Sequence, residues 1–369
     1  MAKFEFNLSM DELEKRTNKD YLIKKKFLKA DAPEYLALAN GDKKALVHLC
    51  NAAEILEKIN MQLDCKHNLE VKTFLEEESA KGNKQAKLTK ILFDAQKGVN
   101  AIDTMSNPIR LIKGIDEKLG KGVYPEDLSK EEFHSVLLRM LKEGQVEEVR
   151  KILTQRSVVV RKEENLEGID YIDYFKEDFE KMADELDKAS EVSTNADFNE
   201  FLKLQATALR KADPMLDAYA DKKWATLQDT PLEFTITREN YEDEMTGTIV
   251  ENEELSNRLK EFNISPIPKD FLGGRVGIIK QGTDALMAIK KYLPTLADNM
   301  PYKEEYEQTI SADTDAKQTM VDVDMVMASG DVGEYRGGIT LAENLPNSDK
   351  LSLTIGGGRR NVYHRQIRF

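Results

Sequence analysis

The chain has 369 residues, 40% of them apolar and 33% charged, with 20 Gly and 10 Pro. This length favours two domains or one elongated two-lobed body, and the composition excludes collagen-like, mucin-like and wholly disordered chains. Lys and Arg number 54 against 67 Asp and Glu, a net charge of −13, so no general affinity for nucleic acid or anionic membrane is expected, since both require a basic surface. Cys50 and Cys65 are the only cysteines, too few for a disulfide scaffold or a four-thiolate zinc site. Met1 to Asn7 lacks an apolar leader core, and no stretch approaches the roughly 18 apolar residues of a membrane span. A cytoplasmic location is the expectation.

Residues 1–230 are predicted to be mainly helical. Ser9 with Glu12 and Ser129 with Glu132 have the spacing of capping boxes, which places helix onsets near 10 and 130. Leu46, Leu49, Cys50, Ala53, Leu56, Ile59 and Leu63 form one apolar stripe. Leu88, Ile91, Leu92, Ala95 and Val99 form a second, and Phe175, Phe179, Met182, Leu186 and Ala189 a third.

Residues 231–369 change texture, because β-branched residues alternate with polar ones and glycines mark the breaks. Strands are predicted at 232–237, 275–280 and 319–327, the last with Val321, Val323, Met325 and Met327 facing one way and Asp322 and Asp324 the other. Further strands near 338–343, 351–355 and 360–364 and helices at 252–262 and 283–297 complete an α+β chain: a largely helical region followed by a small β-sheet or β-barrel region with helices.

The four histidines, His48, His67, His134 and His364, are too far apart for the paired-histidine helix of a zinc peptidase. His48 sits in an apolar stripe and is expected to be a satisfied core or boundary residue. Gly356-Gly357-Gly358-Arg359-Arg360 lacks the Lys-Ser/Thr ending of a phosphate-binding loop and is predicted as a hairpin turn. Gly330, Gly333, Gly337 and Gly338 have the wrong spacing for a dinucleotide fingerprint.

Two constellations remain. Glu239-Asn240-Tyr241 closes the 232–237 strand, and Asn344-Leu345-Pro346-Asn347 follows the 338–343 strand. Pro346 between two asparagines fixes the backbone and aims both amides, which suits gripping a peptide main chain, although taken alone the run reads as a plain turn. In this order the two resemble the E-x-Y and N-x-P-N motifs of the dipeptidyl peptidase III family of zinc exopeptidases. Gly122-Val123-Tyr124-Pro125-Glu126-Asp127, Glu131-Glu132-Phe133, Ser157-Val158-Val159-Val160-Arg161, Tyr292-Leu293-Pro294 and Met300-Pro301 are similar in order and spacing to bacterial members.

That resemblance implies two lobes around a cleft, and it implies roles. Glu239 would bind the free ammonium of a peptide, Tyr241 would donate to the scissile carbonyl, and Asn344 and Asn347 would bind the backbone of the first residues. Release of dipeptides from the N-termini of short peptides follows. The family's zinc motifs, H-E-x-x-G-H and E-E-x-x-A-E/D, lie downstream of N-x-P-N and are absent from these 369 residues. Glu147-Glu148-Val149-Arg150-Lys151 imitates the second without its closing acid and is predicted as a charged helix face. The expectation is therefore the substrate-binding part of a zinc dipeptidyl peptidase, its metal segment missing and this chain inactive alone. The alternative is a peptide-binding protein of the same fold without catalysis.

Overall fold

The computed structural model describes residues 4–18, 28–103, 107–280, 292–299, 301, 320–330, 342–345, 351, 354–356 and 360–365. Helix α1 (Met10–Arg16) begins at Ser9, where hydroxyl and carboxylate of Ser9 and Glu12 satisfy each other's backbone amides, as the sequence predicts. After α2 (Pro33–Leu36) comes the long α3 (Asn40–Asp64), which buries Leu46, Leu49, Ala53, Leu56, Ile59 and Leu63, with Cys50 half-buried beside them. After α4 (Asn68–Ala80), the burial of α5 (Lys84–Gln96) differs from expectation. The inward face of α5 is Ala86, Thr89, Leu92 and Phe93, while Ile91 is exposed.

The first 230 residues also hold two hairpins that the helical reading omits. One pairs β1 (Asn100–Ile102) with β2 (Pro108–Arg110), and the other pairs β3 (Ser157–Lys162) with β4 (Asn165–Asp170). Val158, Val159 and Val160 favour the pleated backbone, and Glu163 turns the chain at φ +54°. Between the hairpins lie α6 (Lys130–Lys142) and α7 (Val146–Ile152). Only half of the second capping box forms. The Ser129 hydroxyl accepts from the Glu132 amide, but the Glu132 carboxylate instead takes two hydrogen bonds from the Arg161 guanidinium.

The chain continues through α8 (Tyr171–Tyr174), α9 (Lys176–Val192), α10 (Ala196–Leu209) and α11 (Pro214–Ala225). Helix α9 packs on α3 with Phe179, Met182, Leu186 and Ala189 inward, α10 packs on α9, and α11 on α10. The sheet strands are β5 (Leu232–Glu239), β6 (Phe271–Ile279), β7 (Met320–Gly330), β8 (Ala342–Leu345) and β9 (Arg360–Arg365). The helices α12 (Glu244–Gly247), α13 (Glu253–Glu261) and α14 (Leu293–Asp298) lie among them in the chain. Part of the predicted 283–297 helix and of the 338–343 strand lies outside the described residues.

The sheet order is β5-β6-β7-β9-β8, antiparallel except for the β7–β9 pair. The alternation predicted for β7 holds at Val321 and Val323, which are buried, and at half-buried Asp322 and Asp324. Beyond them a bulge intervenes: Val276 faces Met327 and Gly277 faces Met325, so Val326 is an extra residue, and all three of 325–327 are partly buried. Among the described residues of the strand expected at 351–355, none is in a strand. Leu351 and Thr354 are helical, and the Thr354 hydroxyl donates to the Leu351 carbonyl at 2.6 Å, a local bond that competes with strand pairing.

Sheet and helices share one core, in which Leu49 and Leu56 of α3 cluster with Phe234, Val276 and Val323 of the strands. Gly274 makes this approach possible, since a Cβ there would stand 2.9 Å from Leu56 Cδ1 and 3.2 Å from Ala53 Cβ. Asn60 adds a side-chain acceptor for the Leu272 amide at 3.2 Å. A second cluster, with Leu13, Val71, Phe93 and Leu111, fills the space among α1, α4, α5 and the β1–β2 hairpin.

Candidate functional site

Glu239 is the last residue of β5, paired in register with Phe271 and half-buried. Tyr241, two residues on, is 71% exposed. The loop that carries them is clamped from behind. Asp243 accepts hydrogen bonds from the Tyr124 hydroxyl at 3.1 Å, the Lys269 amide at 2.9 Å, and the amide and hydroxyl of Thr246. The Glu244 and Met245 amides both donate to the Leu119 carbonyl.

Glu242 pairs with Lys121 at 3.0 Å. That ammonium is buried among Asp64, Glu117 and Glu242; burial opposes its charge, yet the three carboxylates outweigh burial and hold it above the ordinary lysine range. Next to it, Gly122 is pressed against α3, where a Cβ would come within 2.1 Å of the Gln62 carbonyl oxygen.

Lys269 completes the clamp. It is fully buried, and its ammonium donates to the carbonyls of Ile152 and Thr154 and to the Ser157 hydroxyl. Burial pushes it down to about 7, against the opposing charges of Asp243 and Asp270. Two of the segments that carry the resemblance, 122–127 and 157–161, thus stand behind the Glu239–Tyr241 loop through Tyr124 and Ser157.

The second motif lies at the opposite edge in hydrogen-bond order. Asn344 is in β8, in register with Asn361 of β9. Asn347 lies outside the described residues. Although β5 and β8 are the two edges of the sheet, both reach one cavity of about 180 Å3, β5 through Ile236 and Arg238 with Asn240 just beyond, and β8 through Leu345. The structure therefore brings together the strands of the two motifs. The residues they turn to the cavity are the spacers Asn240 and Leu345, whereas Glu239 and Tyr241 occupy the alternate positions and are not among its described walls.

Behind Asn240 is a buried charge cluster that sequence reasoning missed. Asp217 of α11 accepts from Arg238 at 2.7 Å and also from Arg156. Asp221, one turn further along α11, and Asp270, just ahead of β6, line the cavity. Burial raises both carboxyls to about 6, against the opposing charges of Arg238 and Arg156. The i, i+4 spacing of Asp217 and Asp221 on a helix with Ala218, Ala220 and Trp224 buried was the available signal.

Two of the histidines play local roles. His48 is held by Glu185 at 2.8 Å, the boundary residue expected, and buried His134 meets the Thr248 hydroxyl at 2.9 Å. Glu147 and Glu148 pair with Arg150 and Lys151 on the surface of α7, the charged face expected. Among the described residues no group of three or more His, Cys, Asp or Glu side chains is placed to hold a metal ion, so the zinc that the resemblance implies finds no donor set here. Among the same residues no helix is long and apolar enough to cross a membrane.

No family model and no curated protein sequence matches the chain. Solved structures do. Dipeptidyl peptidase III from Caldithrix abyssi superposes with a TM-score of 0.68 at 24% identity, over 89% of this chain and 55% of that one. The dipeptidyl-peptidase III of Corallococcus sp. strain EGB gives 0.69 at 18% identity, over 96% and 57%. This chain spans little more than half the length of either. It has the α+β fold of the dipeptidyl peptidase III structures.

Proposed function

We propose that this chain carries the peptide-binding face of a dipeptidyl peptidase III-type exopeptidase, which takes short peptides by their free N-terminus. One observation carries the reading most: Asn240 and Leu345, the spacer residues of the two motifs, line the same cavity, so the strand ends bearing Glu239, Tyr241 and Asn344 are neighbours. Glu239, half-buried at the end of β5, would accept charge-assisted hydrogen bonds from the peptide ammonium. Tyr241, open to solvent, would donate its hydroxyl hydrogen to a peptide carbonyl. Asn344 on an edge strand and Asn347 beyond it would hold the peptide main chain through amide donors and acceptors. Measuring from the amine in this way would set a dipeptide as the unit of recognition. Zinc would have to be held by residues other than those described. The test is fluorescence anisotropy with a labelled tetrapeptide, N-terminus free or acetylated. Binding at least tenfold tighter for the free amine supports the reading; equal affinities overturn it.

A further inference from the structure

The cavity behind β5 holds polar groups that the peptide-binding face does not use. Asp270 is 4% exposed and its Oδ2 has no hydrogen-bond partner; Gln205 is 3% exposed and its Nε2 has none either. Both line the cavity. Asp221 faces the same space from α11, and among the described residues it makes no hydrogen bond and no ion pair. Buried polar atoms without partners cost free energy unless water or a ligand completes them.

The charges around the cavity are unequal. Arg238 reaches it but donates to Asp217, which also takes Arg156. Asp217 is thus doubly paired, while among the described residues Asp221 and Asp270 form no ion pair, although the charges of Arg238 and Arg156 act on both. The remaining walls include Trp224, Phe201 and Phe234, whose ring faces favour a cation over an anion. A volume of about 180 Å3 equals roughly six waters, enough for a short amine or a guanidinium group.

We infer that this cavity binds a small organic cation, a protonated amine or guanidinium group, between the carboxylates of Asp221 and Asp270, with the Gln205 amide donating to a neighbouring oxygen of the same ligand. The site is separate from the proposed amine clamp, because Glu239 and Tyr241 are not among its described walls. It adjoins that clamp, since Asn240 lines it and the Glu239 charge reaches Asp270, but a probe that is not a peptide tests it apart from peptide binding. The cationic group could belong to a free small molecule or to a basic side chain of a bound peptide.

The probe is ethanolammonium chloride, which carries an ammonium and an oxygen on two carbons, with ethylene glycol as its neutral counterpart and sodium chloride as the ionic control. Four non-hydrogen atoms limit affinity to tens of micromolar at best, so the full 369-residue chain is melted at about 10 mM probe. The expected result is a Tm rise of about 2 °C with ethanolammonium alone, abolished in Asp221→Asn and in Asp270→Asn. Both variants remove buried charge and keep the side-chain volume, and each is first checked by its own melt and circular dichroism. Addition of a labelled N-acetylated peptide bearing one lysine separates the two sources: displacement by ethanolammonium assigns the cavity to a peptide side chain, and failure to bind the peptide assigns it to a free ligand. An equal shift with ethylene glycol or sodium chloride, no shift with ethanolammonium, or a shift that survives both substitutions would overturn the inference.

Discussion

Tyr124 donates its phenolic hydrogen to Asp243 at 3.1 Å across 119 residues of sequence, and this bond ties the 119–124 segment to the loop that presents Tyr241. Both partners are buried, and the tyrosine hydroxyl also meets the Thr246 hydroxyl at 2.9 Å. Replacing Tyr124 by Phe leaves Asp243 with fewer donors in a site that water does not reach. A loss of about 1–2 kcal/mol is expected in urea unfolding, with secondary structure retained. No change in the midpoint would mean that the bond does not hold the loop.

Gly122 is a sharper test of the same packing. A methyl group would fall 2.1 Å from the Gln62 carbonyl oxygen, a backbone atom that cannot rotate away. Gly122→Ala is expected to destabilise by roughly 1–3 kcal/mol, whereas Gly247→Ala, which meets no atom within 4 Å, should cost far less. Equal effects in thermal melts would contradict the contact.

Asp270 gives stability a definite pH dependence. Its carboxyl is raised from 3.8 to about 6 by burial, opposed by Arg238 and Arg156 and reinforced by Glu239 and Asp217; Asp221 faces the same cavity. Because the folded-state value lies above the unfolded one, the folded protein holds the proton more tightly between about pH 4 and 6. This contribution is present in full below pH 4 and is lost as pH rises through 6. Asp270→Asn, which cannot ionise, should therefore stabilise the chain at pH 8 by an amount of order 1–3 kcal/mol and give no such gain at pH 3.5. A gain of the same size at both values, read from urea midpoints, would show that ionisation is not the cause.

How much of this was legible in the sequence varies by element. The stripes of α3 and α9 were readable because long helices repeat their buried positions many times. The β3 strand was not, since Val158-Val159-Val160 is a short apolar run that fits a buried helix as well as a strand. In α5 the stripe included Ile91 because apolar character does not say which flank meets a neighbour. The bulge at Val326 depends on pairing with β6, which no local pattern in β7 encodes.

The candidate site divides the same way. Glu239, Tyr241, Asn344 and Asn347 came from two short motifs, each local in sequence and met in a fixed order. The cluster of Arg156, Asp217, Asp221, Arg238 and Asp270 comes from four separate stretches that only folding assembles. Nothing in the local sequence Pro268-Lys269-Asp270 marks Lys269 as a buried lysine. It is fully buried because the carbonyls of Ile152 and Thr154 and the Ser157 hydroxyl replace its water.

The central claim is that Glu239 on β5 and Asn344 on β8 grip one peptide. Isothermal titration of a tetrapeptide against the parent chain, Glu239→Gln and Asn344→Ala tests it most directly, with the free and N-acetylated peptides run side by side. Loss of the charged hydrogen bond should weaken the free-amine peptide about 10- to 100-fold in Glu239→Gln and leave the acetylated peptide unchanged, while Asn344→Ala should weaken both. Affinities that are the same for all three proteins, or a Glu239→Gln effect that is equal for free and acetylated peptides, would contradict the claim.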